Sequence, residues 1–169
     1  VSTSEPHSSE RLKPSLLDRL TDDEPDDPRD AQQRRYVSAK QLRESVVRDL
    51  SWLLNCVRLS TVQSLDAYPY VAKSVVNFGL PDLSGRTSSS IDAPALERQL
   101  RQAVLDFEPR LIPSSVLVRV LTSPPESSHN NLQLVIEGTL LAHPVPLALW
   151  LRTEIDLENG EVSITEWEG

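Results

Sequence analysis

Apolar residues recur with helical spacing in two stretches of the chain and with strand spacing in the stretches that follow. Between Ser38 and Leu59, the residues Leu42, Val46, Leu50, Leu53 and Val57 fall at i, i+4, i+8, i+11 and i+15. That is one helical face. Ser38 followed by Gln41 is a capping-box pattern, which opens the helix. Glu44 and Arg48 make an i,i+4 pair on its exposed side. Trp52 lies about 80° from the apolar centre line at about 100° per residue, which puts it at the edge of the buried face. A second helix is predicted from Asp92 to Phe107, with Leu96, Leu100, Val104 and Phe107 facing inward. Asp92 suits its cap and Pro94 its first turn, where no amide partner is required. Pro109 ends it, because the residue before a proline avoids the α region.

Beyond Pro109 the period changes to two. Val116, Val118 and Val120 share one parity, as do Leu132, Leu134, Ile136 and Leu140 in the next run. A third run places Leu147, Leu149, Leu151, Ile155 and Leu157 opposite Trp150, Arg152, Glu154 and Asp156. Such alternation marks half-buried antiparallel strands. Asn159-Gly160 is a strong hairpin signal, and Val162 and Ile164 continue beyond it. The expected fold class is α+β: two N-terminal helices packed on one face of a roughly four-stranded antiparallel sheet. Between the helices, residues 71–78 read as a short helix or an extended piece, and residues 79–85 as an ordered turn.

Residues 1–35 read as a flexible tail and residues 36–169 as a single domain. The tail holds Pro6, Pro14, Pro25 and Pro28, and an acidic run from Thr21 to Asp30 predicts a solvated linker. One island interrupts it at residues 14–20, where Leu16, Leu17 and Leu20 can share one face of a helical turn. A single turn does not survive alone in water, so the island docks on its own domain or on a partner.

Composition narrows the function. The chain has 169 residues and a net charge of −8, which argues against a dedicated nucleic-acid binder. Locally, the stretch from Arg34 to Arg58 holds six bases and two acids, a solubilising surface or a partner-facing stripe. No apolar run reaches the roughly 18–20 residues of a membrane span. The first residues are polar and acidic, unlike a secretory leader. Cys56 is the only cysteine, which rules out an intramolecular disulfide and fits a reducing, cytoplasmic setting. Its place beside Val57 predicts a buried, inert thiol. His7, His129 and His143 are scattered, the five glycines form no phosphate loop, and no Gly-x-Ser-x-Gly elbow occurs. No metal and no cofactor is expected. Paired carboxylates are the one remaining enzymatic option, as in a peptidoglycan hydrolase. The candidates are Glu97, Asp106, Glu108 and Glu126. Glu97 and Asp106 lie off the apolar helix face, and Arg110 is close enough to pair with Glu108. An apolar pocket that would raise a general acid's pKa is not indicated for any of them.

Four segments in order resemble one known family. They are residues 14–20 (PSLLDRL), 74–83 (SVVNFGLPDL), 107–111 (FEPRL) and 151–160 (LRTEIDLENG). Together they are similar to the TssE family, the wedge-type baseplate subunits of the type VI secretion system, often labelled lysozyme-like. The resemblance runs from about Leu12 to Ile164. It implies a structural role joining the baseplate wedge to the first ring of the contractile sheath, and a β-domain similar to the interlocking domain of sheath subunits. The implied partners are wedge subunits of the TssF, TssG and TssK type and sheath subunits of the TssB and TssC type. The implied location is the cytoplasm, in a baseplate docked at the inner membrane through other subunits.

Candidate contact residues follow. Glu108, Pro109 and Arg110 match the family's Glu-Pro-Arg, which the resemblance places against the wedge. The residues themselves are equally consistent with an internal clamp between the second helix and the first strand. Leu16, Leu17 and Leu20 are a second wedge candidate. For the sheath, strands at 147–157 and 161–167 are expected to template incoming strands, with Arg152, Glu154, Ile155, Val162 and Ile164 at the contact. Glu161, Glu166 and Glu168 would discourage the edge from pairing with itself.

Overall fold

A computed structural model describes residues 12, 14–21, 37–121, 130–142 and 145–167. The first long helix, α2, spans Ala39–Leu54 and follows a short α1 at Leu16–Leu20. The capping box forms: the Ser38 hydroxyl accepts from the Gln41 amide at 3.2 Å, and the Gln41 side chain accepts from the Ser38 amide at 2.8 Å. Leu42, Val46, Leu50, Leu53 and Leu54 are buried along α2. The helix stops at Leu54, a turn earlier than its apolar period predicts. Asn55 caps it, and the chain leaves to form a parallel bridge between Val57 and Leu80. Val57 is therefore 58% exposed and Cys56 is exposed too, which corrects both expectations.

That departure depends on Gly79. Leu80 donates to the Cys56 carbonyl at 2.8 Å, and Arg58 donates to the Leu80 carbonyl at 2.9 Å. Gly79 has φ +122°, and a Cβ there would lie 2.3 Å from the Cys56 carbonyl oxygen. No side chain fits. The stretch between the two long helices winds through 3₁₀ turns at Leu59–Thr61, Val75–Asn77 and Ser88–Ser90 and a short helix α3 at Pro69–Ala72. Phe78 closes this stretch edge-to-face on Phe107, with ring centroids 5.1 Å apart.

Helix α4 spans Ala93–Phe107, capped by the Asp92 side chain on the Ala95 amide at 3.1 Å. It buries Leu96, Leu100, Ala103 and Val104. Four strands follow: β1 Leu117–Leu121, β2 Asn131–Leu140, β3 Leu147–Asp156 and β4 Val162–Glu166. They form an antiparallel meander in the order β1-β2-β3-β4. Gly160, with φ +79°, turns the chain between β3 and β4. The expected parities hold: Val118, Leu134, Ile136, Leu149, Leu151 and Ile155 face the core. Helix α4 lies along β1 and α2 along β4, and the two helices touch. This is the two-layer α+β arrangement, with the helices mainly before the sheet. Burying these aliphatic side chains, at about 1.5–3 kcal/mol each, holds the layers together.

Candidate functional site

Two features of this fold carry the residues singled out by the sequence. The first is a chain of alternating charges where α4 ends. Glu108 caps α4 and is only 3% exposed. Pro109 turns the backbone and places Arg110 back over it. The Arg110 Nε donates to Glu108 Oε1 at 2.7 Å, and Nη2 donates to Glu108 Oε2, a two-point pairing. The same guanidinium reaches α2, donating to Asp49 Oδ2 at 2.6 Å and to the Ser45 hydroxyl at 3.1 Å. Burial opposes the charge on Arg110, but the Glu108 and Asp49 carboxylates outweigh it and raise its pKa. Glu108 and Arg110 thus form the internal clamp, although it holds α4 to α2 rather than to the first strand. Pro109 is exposed beside it.

The charge chain continues outward. Asp49 Oδ1 accepts from Arg48 at 2.8 and 2.9 Å, and Arg48 Nη1 donates to Asp18 of α1 at 2.6 Å. The i,i+4 partner expected for Arg48 was Glu44, but Glu44 pairs instead with Lys40 at 3.7 Å. Arg48 turns to the aromatic ring of Trp52, 5.1 Å from its centroid, and to α1. Trp52 is half-exposed. The leucine island docks on its own domain through this ion pair. Leu17 helps line a half-open cleft of about 240 Å³ with Trp52, Phe78, Phe107 and Arg110. Leu16 and Leu20 stay 69% and 75% exposed.

Asp18 sets the pH response of α1. Burial disfavours its charge, but the Ser15 hydroxyl and Arg48 outweigh that and hold its carboxyl below the ordinary Asp range. A pKa depressed by folding stabilises at pH values above the unfolded pKa, and the contribution fades as pH falls through the folded one. Docking of α1 is therefore expected to persist at neutral pH and to fail as pH falls below the ordinary Asp range. Asp18→Asn is expected to release α1 at pH 7. Methyl NMR shifts of Leu16, Leu17 and Leu20 report both events; unchanged shifts in Asp18→Asn would show that the ion pair does not hold α1.

The second feature is the pair of sheet edges. Strand β3 is interior, paired with β2 on one side and β4 on the other. Over 151–155 both of its sides are taken, so that stretch has no free edge for an added strand, which corrects the expectation for most of 147–157. Side chains of α4 cross the edge of β1 at two points. Glu97 accepts from the Val120 amide at 2.8 Å, and Arg101 Nε, one turn along, donates to the Val116 carbonyl at 2.9 Å. Glu97 therefore does not face open solvent as its helix position implied.

On β4, main-chain groups alternate in direction. Trp167 donates to the Trp150 carbonyl and Asp156 donates to the Glu161 carbonyl, so odd-numbered residues face β3. Val162, Ile164 and Glu166 face outward. Asn55 takes both groups of Val162, at 2.9 Å each. No hydrogen bond to the amide or carbonyl of Ile164 or Glu166 occurs among the described residues. The sheath candidates divide accordingly. Ile155 and Val162 are core residues at 1% and 6% exposure. Arg152 and Glu154 project from the face away from the helices, where Arg152 lies 5.5 Å from the ring centre of Trp167. Only Ile164 pairs a half-buried side chain with an open main chain. Glu166 is held by Arg43 at 3.1 Å, and Glu168 lies outside the described residues.

The enzymatic option gains nothing from this geometry. Glu108 is locked to Arg110, Glu97 is bound to β1, and Asp106 accepts from Gln102 at 2.8 Å. Glu126 lies outside the described residues, as do most of the acidic run and all three histidines. No helix among the described residues is long and apolar enough to cross a membrane.

The chain is thus a small two-layer α+β scaffold with a clamped helix pair and open main-chain groups on β4. The model of the family described as baseplate wedge protein gp25 matches residues 40–145, well over half of the chain, and the protein belongs to that family. The match gives it a structural role in a phage or type VI secretion baseplate and implies contact with other baseplate components. No curated protein matches the chain.

Proposed function

We propose that the chain is the TssE-type wedge subunit of a type VI secretion baseplate and that it starts the contractile sheath by strand addition. The observation that carries this reading is the open main chain of β4 at Ile164 and Glu166, two successive outward-facing positions, whereas the β1 edge is crossed by α4 side chains at Val116 and Val120. Continuing main-chain hydrogen bonds across an edge joins two chains with little demand on side-chain identity. The resemblance of this β-domain to the interlocking domain of sheath subunits gives the incoming strand its source, a TssB/TssC-type sheath subunit. A second surface presents Leu16, Leu20, Trp52 and Pro109 together with the cleft beside Arg110. That surface is assigned to the wedge subunits of the TssF, TssG and TssK type. The chain works in the cytoplasm, in a baseplate held at the inner membrane by other subunits, and it is not an enzyme.

The test is affinity purification of the tagged chain from a secretion-competent bacterium, with mass spectrometry of what accompanies it. Wedge and sheath subunits are the expected companions. Recovery of the chain alone, or release of soluble fragments from peptidoglycan by the purified chain, would overturn the reading.

A further inference from the structure

Asn55 sits where a helix end meets a sheet edge. It caps α2, and its side-chain nitrogen donates both to the Ser51 carbonyl of its own helix and to the Val162 carbonyl, each at 2.9 Å. Its side-chain oxygen accepts from the Val162 amide at 2.9 Å. A carboxamide offers a donor and an acceptor side by side, as one residue of an added strand does. Asn55 thus fills the first outward-facing position of β4 with a one-residue imitation of a strand. The next two positions, Ile164 and Glu166, have no such occupant among the described residues. The far end of β4 is fixed differently. Arg43 of α2 holds the Glu166 carboxylate at 3.1 Å and donates to the Ala148 carbonyl at 2.9 Å, leaving the Glu166 main chain open.

We infer that Asn55 is a register stop for the strand that β4 accepts. With Val162 occupied, an incoming strand can pair only from Ile164 onward. The inference rests on the strand-addition reading and adds to it a residue that selects one alignment. Without the stop, the strand could slide toward Val162. The slide would be two residues, because a one-residue slip turns every side chain to the wrong face. For a protein that starts a polymer, a displaced first strand would pass its offset to every ring built on it.

The test uses assembled baseplate–sheath particles carrying the full chain with Cys56→Ser, which removes the exposed thiol. Ser163→Cys or Thr165→Cys, on the open face of β4, is combined with single cysteines scanned along the partner strand. Cross-strand neighbours on one face lie within disulfide reach. The expected result is one dominant partner position for each site, and in the Asn55→Ala background a second position displaced by two residues. A single undisplaced position in Asn55→Ala would overturn the stop while leaving strand addition intact. Particles that assemble with no cross-link at either site would overturn strand addition itself, and the stop with it. A measurement on the unmodified free chain stands apart from the variant's folding. The Val162 amide should exchange with solvent up to roughly tenfold more slowly than the Ile164 amide. Equal rates would overturn the inference.

Discussion

Arg110→Ala is expected to lower the stability of the isolated chain by about 3 kcal/mol, the lower end of what removing one partner of a buried ion pair costs. The reason is what stays behind. Glu108 is 3% exposed, and in the structure both of its carboxylate oxygens are paired with Arg110. Without the guanidinium, a buried carboxylate loses its partner, and α4 loses its link to Asp49 and Ser45 of α2. Arg110 keeps 23% side-chain exposure, so water can enter and moderate the loss. For a chain of this size the melting temperature should fall by roughly 10 °C. Arg110→Lys should recover only part of it, since a single ammonium cannot bridge two carboxylates and a hydroxyl in the same geometry. A double variant, Glu108→Leu with Arg110→Met, should recover more, because it removes the stranded charge along with its partner. A clamp predicts this ordering. Normal melting of Arg110→Asp with lost binding to the wedge would instead make the Glu-Pro-Arg turn an interface first.

This clamp also shows where sequence reasoning stops. Periodicity exposed both long helices, because Leu42, Val46, Leu50 and Leu53 recur on one face, as do Leu96, Leu100 and Val104. Parity exposed the strands in the same way. These are local signals, carried by residues a few positions apart. The charge network is not local. Arg110 meets Asp49 across 61 positions, and Arg48 meets Asp18 across 30, so only the fold decides which acid each base finds. The end of α2 was hidden for a related reason. Val57 continues the apolar face in sequence, but Gly79 lets the chain at Leu80 approach closely enough to draw Cys56 and Arg58 into main-chain bonds. A helix continuing through Val57 would forgo those bonds and the Asn55 contact with β4. The open edge lay in between. The sequence marked 161–167 as a strand, but only the order β1-β2-β3-β4 makes it an edge. The bonds from Glu97 and Arg101 to the β1 edge could be read neither from their spacing nor from their charge.

Ile164→Pro is expected to stop sheath assembly while leaving the monomer folded. The Ile164 amide points away from β3, so proline removes no hydrogen bond from the sheet, and an outward-facing edge amide is a strand setting in which proline is tolerated. The cost to the fold is the packing of a half-buried side chain, about 1–2 kcal/mol. The cost to strand addition is larger in kind. The ring takes away one of the open donors on β4 and sets its own bulk where the incoming backbone must lie. Two controls separate these effects. Ile164→Ala loses the packing but keeps the amide, and it should still assemble sheath. Ser163→Pro loses an amide that faces Glu154 on β3, so it should damage the monomer itself. Circular dichroism melting of the three variants, alongside sedimentation or electron microscopy of sheaths grown from each, distinguishes the outcomes. Sheath growth from Ile164→Pro at the unmodified rate would mean that the first ring is held by side chains, with Arg152, Glu154 and Trp167 on the open face the next to change. Failure of Ile164→Ala as well would place the contact in the isoleucine side chain rather than in the main chain that the β4 edge leaves open.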